Sequence, residues 1–173
     1  MNMSCNQEEL INFLKTRRSI RKFKSEKIPD EILLKILDTA RYSPSAHNSQ
    51  PWKFVIIDDR QILDRLSKIH GGAKPLRFAP QAIVVLVNRK DDPDSYFLDG
   101  ANATIYIQLA AHAFGIGSVW IQTMRNIDEI QEILNAPKDY VPVAILAIGY
   151  PDEKPVLRPR KPLEEIVCRN MFC

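Results

Sequence analysis

Three short stretches carry the residues best suited to chemistry. Residues 17–23 read Arg17, Arg18, Ser19, Ile20, Arg21, Lys22, Phe23; residues 43–52 run from Ser43 and Pro44 through Ser45, Ala46, His47 and Asn48 to Trp52; and Arg158, Arg160 and Lys161 lie near the end. Two of these are cationic clusters far apart in the chain. Guanidinium groups grip phosphate oxygens in pairs and a serine hydroxyl adds a further donor, so a dianionic phosphate suits such a set. The middle stretch offers something else. Its serine and asparagine side chains and free backbone groups, stiffened by Pro44 and Pro51, can hydrogen-bond a heteroaromatic edge that has both donors and acceptors.

No self-contained catalytic side-chain set accompanies them. The chain has three histidines, no Gly-x-Ser-x-Gly turn to present a nucleophile, and no carboxylate pair beside a base, so redox chemistry here would be carried by a cofactor. Gly115 and Gly117 open like a dinucleotide fingerprint, but they follow a helical pattern and enter a strand, and Trp120 stands where the third glycine belongs, which excludes a Rossmann site. Cys5, Cys168 and Cys173 have neither metal-ligand nor redox-motif spacing and read as bystanders in a reducing compartment. His47 reads as a loop histidine with one structural hydrogen bond, His112 as a packing residue and His70 as exposed. Trp52 and Trp120 read as core or interface aromatics.

The elements that must position these stretches follow from hydrophobic spacing. Helices are predicted over 8–14, from Pro29 to about Tyr42, over 60–69, as an apolar central helix over 96–114, and over 127–134. Strands are predicted over 54–57, 82–88, 118–121 and 143–149. Residues 43–51 form a loop, 71–75 a mobile connection, and 151–162, with Pro151, Pro155, Pro159 and Pro162, an extended arm. The pattern leaves strand directions open. With 173 residues, 45% of them hydrophobic, the chain suits one domain. A net charge of +3 is too small for a protein-wide field drawing nucleic acid or membranes. The basic run 15–27 has no interleaved aromatic beyond Phe23 and meets Glu26, Asp30 and Glu31, which argues against nucleic acid. The apolar run 82–87 is too short to span a bilayer, and a cytoplasmic location is expected.

Segments 17–23 and 43–52 resemble the two N-terminal signatures of the FMN-dependent nitroreductase family. Residues 110–120 are similar to its central helix and following strand, and 158–167 to its closing segment. The resemblance implies an α+β fold with a mixed, mainly antiparallel sheet flanked by helices, and an entwined homodimer with FMN at the subunit interface. It also implies a ping-pong reaction in which NADH or NADPH delivers an electron pair that passes to a small-molecule substrate such as a nitroaromatic or quinone. Carried over by position, Arg17, Arg18, Ser19 and Arg21 hold the phosphate, ribityl chain and pyrimidine edge. Arg158 and Arg160 complete the phosphate pocket. Pro44, Ser45, Ala46 and Asn48 reach the flavin of the opposite subunit, and Trp120, Ile121, Gln122 and Thr123 lie along the ring. Gln122 and Thr123 stand where larger members often have an acidic residue followed by glycine, and the 88–99 connection is short. The alternatives are an FMN enzyme of this fold with different chemistry, dehalogenation or flavin fragmentation, and a non-enzymatic polyanion-binding module.

Overall fold

The computed structural model describes residues 6–172. Four antiparallel strands form its sheet: β1 (Trp52–Ile57), β2 (Gln81–Asn88), β3 (Gly117–Gln122) and β4 (Tyr140–Gly149), in the order β1-β2-β4-β3. Parallel contact enters through an isolated bridge between Ser19 and Ser118. The sheet is thus mixed but mainly antiparallel, and the directions that the apolar pattern left open are set by pairing.

The two central strands are buried on both faces, as their unbroken apolar runs require. Alternation divides their side chains between two layers. Ile83, Val85, Leu146 and Ile148 face α2 (Asp30–Ala40) and α4 (Tyr96–Ala113) through Leu33, Ile36, Ala40 and Ile107. Val84, Leu86, Ile145 and Ala147 face α3 (Arg60–Leu66) and α5 (Ile127–Leu134) through Leu63, Leu66 and Ile130. Close approach of α4 to the sheet depends on Gly100, where an added Cβ would lie 2.7 Å from Val143 Cγ2 and 2.8 Å from Val87 Cγ1. Helix α1 (Gln7–Thr16) buries none of its residues, although Leu10, Ile11 and Leu14 mark an apolar face.

Three expectations are corrected. Residues 71–75 belong to an ordered 3-10 helix, Gly71–Arg77, with Ala73 and Leu76 buried. Arg60 fixes it from α3 by donating to the carbonyls of Leu76 at 2.8 Å and Ala79 at 3.0 Å. His70 is half-buried rather than exposed. Its Nδ1 accepts from the Gly72 amide at 3.0 Å, so Nε2 carries the proton and donates to the Gln122 carbonyl at 2.7 Å. The 43–51 loop contains a single 3-10 turn, Ala46–Asn48, and the arm beyond Pro151 is extended with exposed Val156 and Leu157. Cys168 is disulfide-bonded, contrary to its expected bystander role; Cys5 and Cys173 lie outside the described residues. Among the described residues no helix is long and apolar enough to cross a membrane.

Candidate functional site

Segment 17–23 leaves α1 as extended chain and is fastened at both ends. The Ile20 amide donates to the Ser118 carbonyl at 3.0 Å, and the Lys24 amide to the Tyr150 carbonyl at 2.9 Å. Ile20 and Phe23 enter the core, leaving Arg17, Ser19 and Arg21 directed away from it. Gly117 permits this seating, because a Cβ there would come within 2.7 Å of Ile20 Cγ1 and 2.8 Å of its Cβ.

Beside this segment lies a cavity of about 410 Å³, lined by Arg17, Arg18, Ser19, Arg21, Arg158 and Arg160 together with Glu153, Pro155 and Val156. Clusters separated by some 140 positions therefore meet. None of the five arginines has an ion-pair partner among the described residues. Glu153, the acid of the cavity wall, is committed elsewhere: its Oε1 accepts from the backbone amides of Arg21 and Lys22. Burial, and then the charges of Arg18 and Arg160, lower the pKa of Arg17 below the usual guanidinium value. Among the described residues the wall thus carries five guanidinium groups against the single carboxylate of Glu153. Arg18 departs from the expected pattern of cofactor ligands in one respect, since its Nη1 donates to the carbonyls of Lys15 and Arg17 and so caps the end of α1.

A second cavity of about 340 Å³ adjoins the first behind Arg17 and Arg18, with Gln108, His112, Gly117 and Ser118 in its wall. Thr16 donates its hydroxyl proton to Phe13 O at 2.7 Å, so its 2.9 Å contact with His112 Nε2 is donated by the imidazole. His112 stacks on Phe13, with ring centroids 4.9 Å apart. Burial, followed by Arg17 and Arg18, lowers its pKa below the ordinary imidazole value.

The remaining candidate residues lie outside the linings of both cavities. Pro44, Ser45, Ala46 and Asn48 belong to a loop held against the start of α4, where Ala46 donates its amide to Asp99 Oδ1 at 3.1 Å and Asn102 donates to Pro44 O at 3.3 Å. His47 is exposed, its Nδ1 3.6 Å from Asp92 Oδ2. On β3, Ile121 is buried and Trp120 half-buried, Gln122 is exposed, and the buried Thr123 just beyond donates to Pro142 O at 2.6 Å. Sequence reasoning missed Glu153, Asp99 and the spacer role of Gly117. Of these only Gly117 gave a signal, a glycine at the start of a predicted strand.

Comparison with known proteins settles the lineage. A model of the Nitroreductase family matches residues 14–107 and 70–150. The chain belongs to the Nitroreductase family. A candidate NADH dehydrogenase/NAD(P)H nitroreductase of Archaeoglobus fulgidus is 38% identical, over 85% of this chain and 88% of its own length. An iodotyrosine deiodinase of Thermotoga neapolitana is 31% identical, over 94% and 98% respectively. Among solved structures, an FMN-dependent nitroreductase of Clostridium difficile superposes with a TM-score of 0.87 at 37% identity, covering 94% of this chain and 99% of that one. Nitroreductase-family membership accounts for the α+β architecture, and the matched residues include the segments 17–23, 43–52 and 110–120.

Proposed function

We propose that this protein binds FMN and transfers electron pairs from NADH or NADPH to small oxidised acceptors such as nitroaromatics or quinones, working as a homodimer. The observation that carries the reading is the 410 Å³ cavity ringed by five arginines that have no ion-pair partner among the described residues. A phosphate dianion supplies the counter-charge that this wall lacks, and Ser19 adds a hydroxyl donor. Bound FMN supplies two-electron chemistry that none of the side chains here provides.

The chain's own residues then have binding and positioning roles. Arg17, Arg158 and Arg160 hold the phosphate. Ser19 and Arg21 reach the ribityl chain and the pyrimidine edge, where positive charge stabilises the reduced ring. Arg18 orders the end of α1, and with it the start of the arginine segment. Trp120, Ile121, Gln122 and Thr123 line the ring edge, with the Gln122 carbonyl fixed by His70. Ser45, Ala46 and Asn48, which line neither cavity of their own subunit, serve the flavin of the second subunit. The homodimer also explains why α1 buries no residue and why Leu157, Leu163 and Ile166 are exposed on an extended arm.

The decisive experiment is the visible spectrum of the purified protein, recorded without oxygen before and after addition of NADH or NADPH. Flavin bands that bleach are expected. A colourless protein that fails to take up added FMN overturns the reading. Flavin bands that persist favour a second reading, reductive dehalogenation, motivated by the similarity to the iodotyrosine deiodinase over nearly the full chain.

A further inference from the structure

Loop 43–50 holds three non-glycine residues in the left-handed region: His47 at φ 53°, Asn48 at 56° and Gln50 at 48°. Asparagine tolerates this region, whereas histidine and glutamine adopt it at a cost that surrounding contacts must offset. Within the loop, Gln50 donates its amide to Ser45 Oγ at 3.1 Å. From outside, Asn102 grips Pro44 O and Asp99 accepts the Ala46 amide.

Asp99 stands apart from the other two. It is 3% exposed, in the first turn of α4, and its Oδ2 is buried with no hydrogen-bond partner. Among the described residues, the other buried side-chain oxygens without partners are Ser43 Oγ and Ser49 Oγ, both on this same loop. An acid so placed is costly to bury, and an apolar residue would pack there with less penalty. The neighbouring Gly100 seats α4 directly against Val87 and Val143, so Asp99 is fixed relative to the sheet. Its Oδ1 therefore ties a strained loop to a helix packed directly on the sheet.

We propose that Asp99 is a positioning residue for the cofactor: by holding the Ala46 amide it fixes the left-handed turn that presents Ser45, Ala46 and Asn48 to the flavin. The proposal rests on the FMN reading above. It requires that the bond be broken from either end with the same result. Asp99→Ala removes the acceptor. Ala46→Pro removes the donor without disturbing α4, and Ser45 before it is already extended at φ −137°, ψ 152°, as the residue preceding proline should be. Asp99→Asn keeps a carbonyl oxygen for the Ala46 amide.

The experiment measures FMN dissociation constants of all three full-length variants and, for the two Asp99 variants, hydrogen exchange at the Ala46 amide. Asp99→Ala should raise the exchange rate and the FMN dissociation constant each by about tenfold, Ala46→Pro should match that loss of affinity, and Asp99→Asn should stay within about threefold of the parent. Faster exchange in Asp99→Ala with unchanged FMN affinity overturns the positioning role and leaves the FMN reading intact. Ala46→Pro binding FMN as tightly as the parent also overturns it, and this arm decides the matter if Asp99→Ala does not fold. A parent protein that binds no FMN removes both readings together.

Discussion

Segment 17–23 and the arm beyond Pro155 bring arginines to the same cavity, but the fold treats them differently. The segment is pinned through Ile20 and Phe23 in the core and through backbone bonds to residues 118 and 150. On the arm, no residue from 156 to 172 is buried; Val156 is 87% exposed and Leu157 71%. Arg17 and Arg21 are therefore set in place before any ligand arrives, whereas Arg158 and Arg160 sit on a stretch with no buried residue to anchor it. Since ordering a long side chain and its backbone opposes binding, equal charges at the two walls should contribute unequally.

The sharpest test is Arg17→Ala, expected to raise the FMN dissociation constant by one to two orders of magnitude, roughly 1.5–3 kcal/mol, in a fluorescence titration of the flavin-free protein. Gly117→Ala attacks the pinning itself. Its Cβ would press on Ile20 at a branched, inflexible atom, and a loss of roughly 1–3 kcal/mol is expected in urea unfolding, with Arg17 displaced as a consequence. Arg160→Ala should cost less than about tenfold in FMN affinity and lose most of its effect at high salt, as exposed charges do. If it equals Arg17→Ala in depth and salt resistance, the contrast between the two walls fails.

The smallest expected effect is a pH dependence from His112. Its folded pKa lies below the ordinary value because of burial and then Arg17 and Arg18, so the folded chain prefers the neutral ring. Above the unfolded-state value of about 6.5 both states are neutral and the group contributes nothing; as pH falls from there toward the folded pKa, the unfolded chain takes the proton first and stability declines. His112→Gln should flatten that decline, seen by comparing urea midpoints at neutral and mildly acidic pH. FMN binding should lessen it as well, because the phosphate offsets the charge of Arg17.

Much of this architecture is legible in the sequence where a local pattern decides the outcome. The unbroken apolar runs in β2 and β4, the all-round apolar α4 and the acidic start of α2 declare themselves within a few residues. The ordered Gly71–Arg77 turn does not, because what orders it is Arg60, well upstream, and a histidine whose second nitrogen reaches across to Gln122. The same limit applies at the candidate site. Arginine and serine types point to phosphate, yet nothing in the local sequence shows that Arg18 turns back to cap a helix, that Glu153 is spent on backbone amides, or that Asp99 lies buried under the 43–50 loop. These are meetings between distant segments, and only the assembled sheet brings them about.

The Ser19–Ser118 bridge has a consequence unrelated to cofactors. Strand β3 is the last in the β1-β2-β4-β3 order, and an open strand edge is a template on which another chain can add itself. Segment 17–23 lies beside the beginning of that edge and takes up the Ser118 carbonyl through the Ile20 amide. The stretch proposed to hold phosphate thereby also occupies the start of this edge, and substitutions that loosen its seat should be watched for aggregation as well as for lost colour.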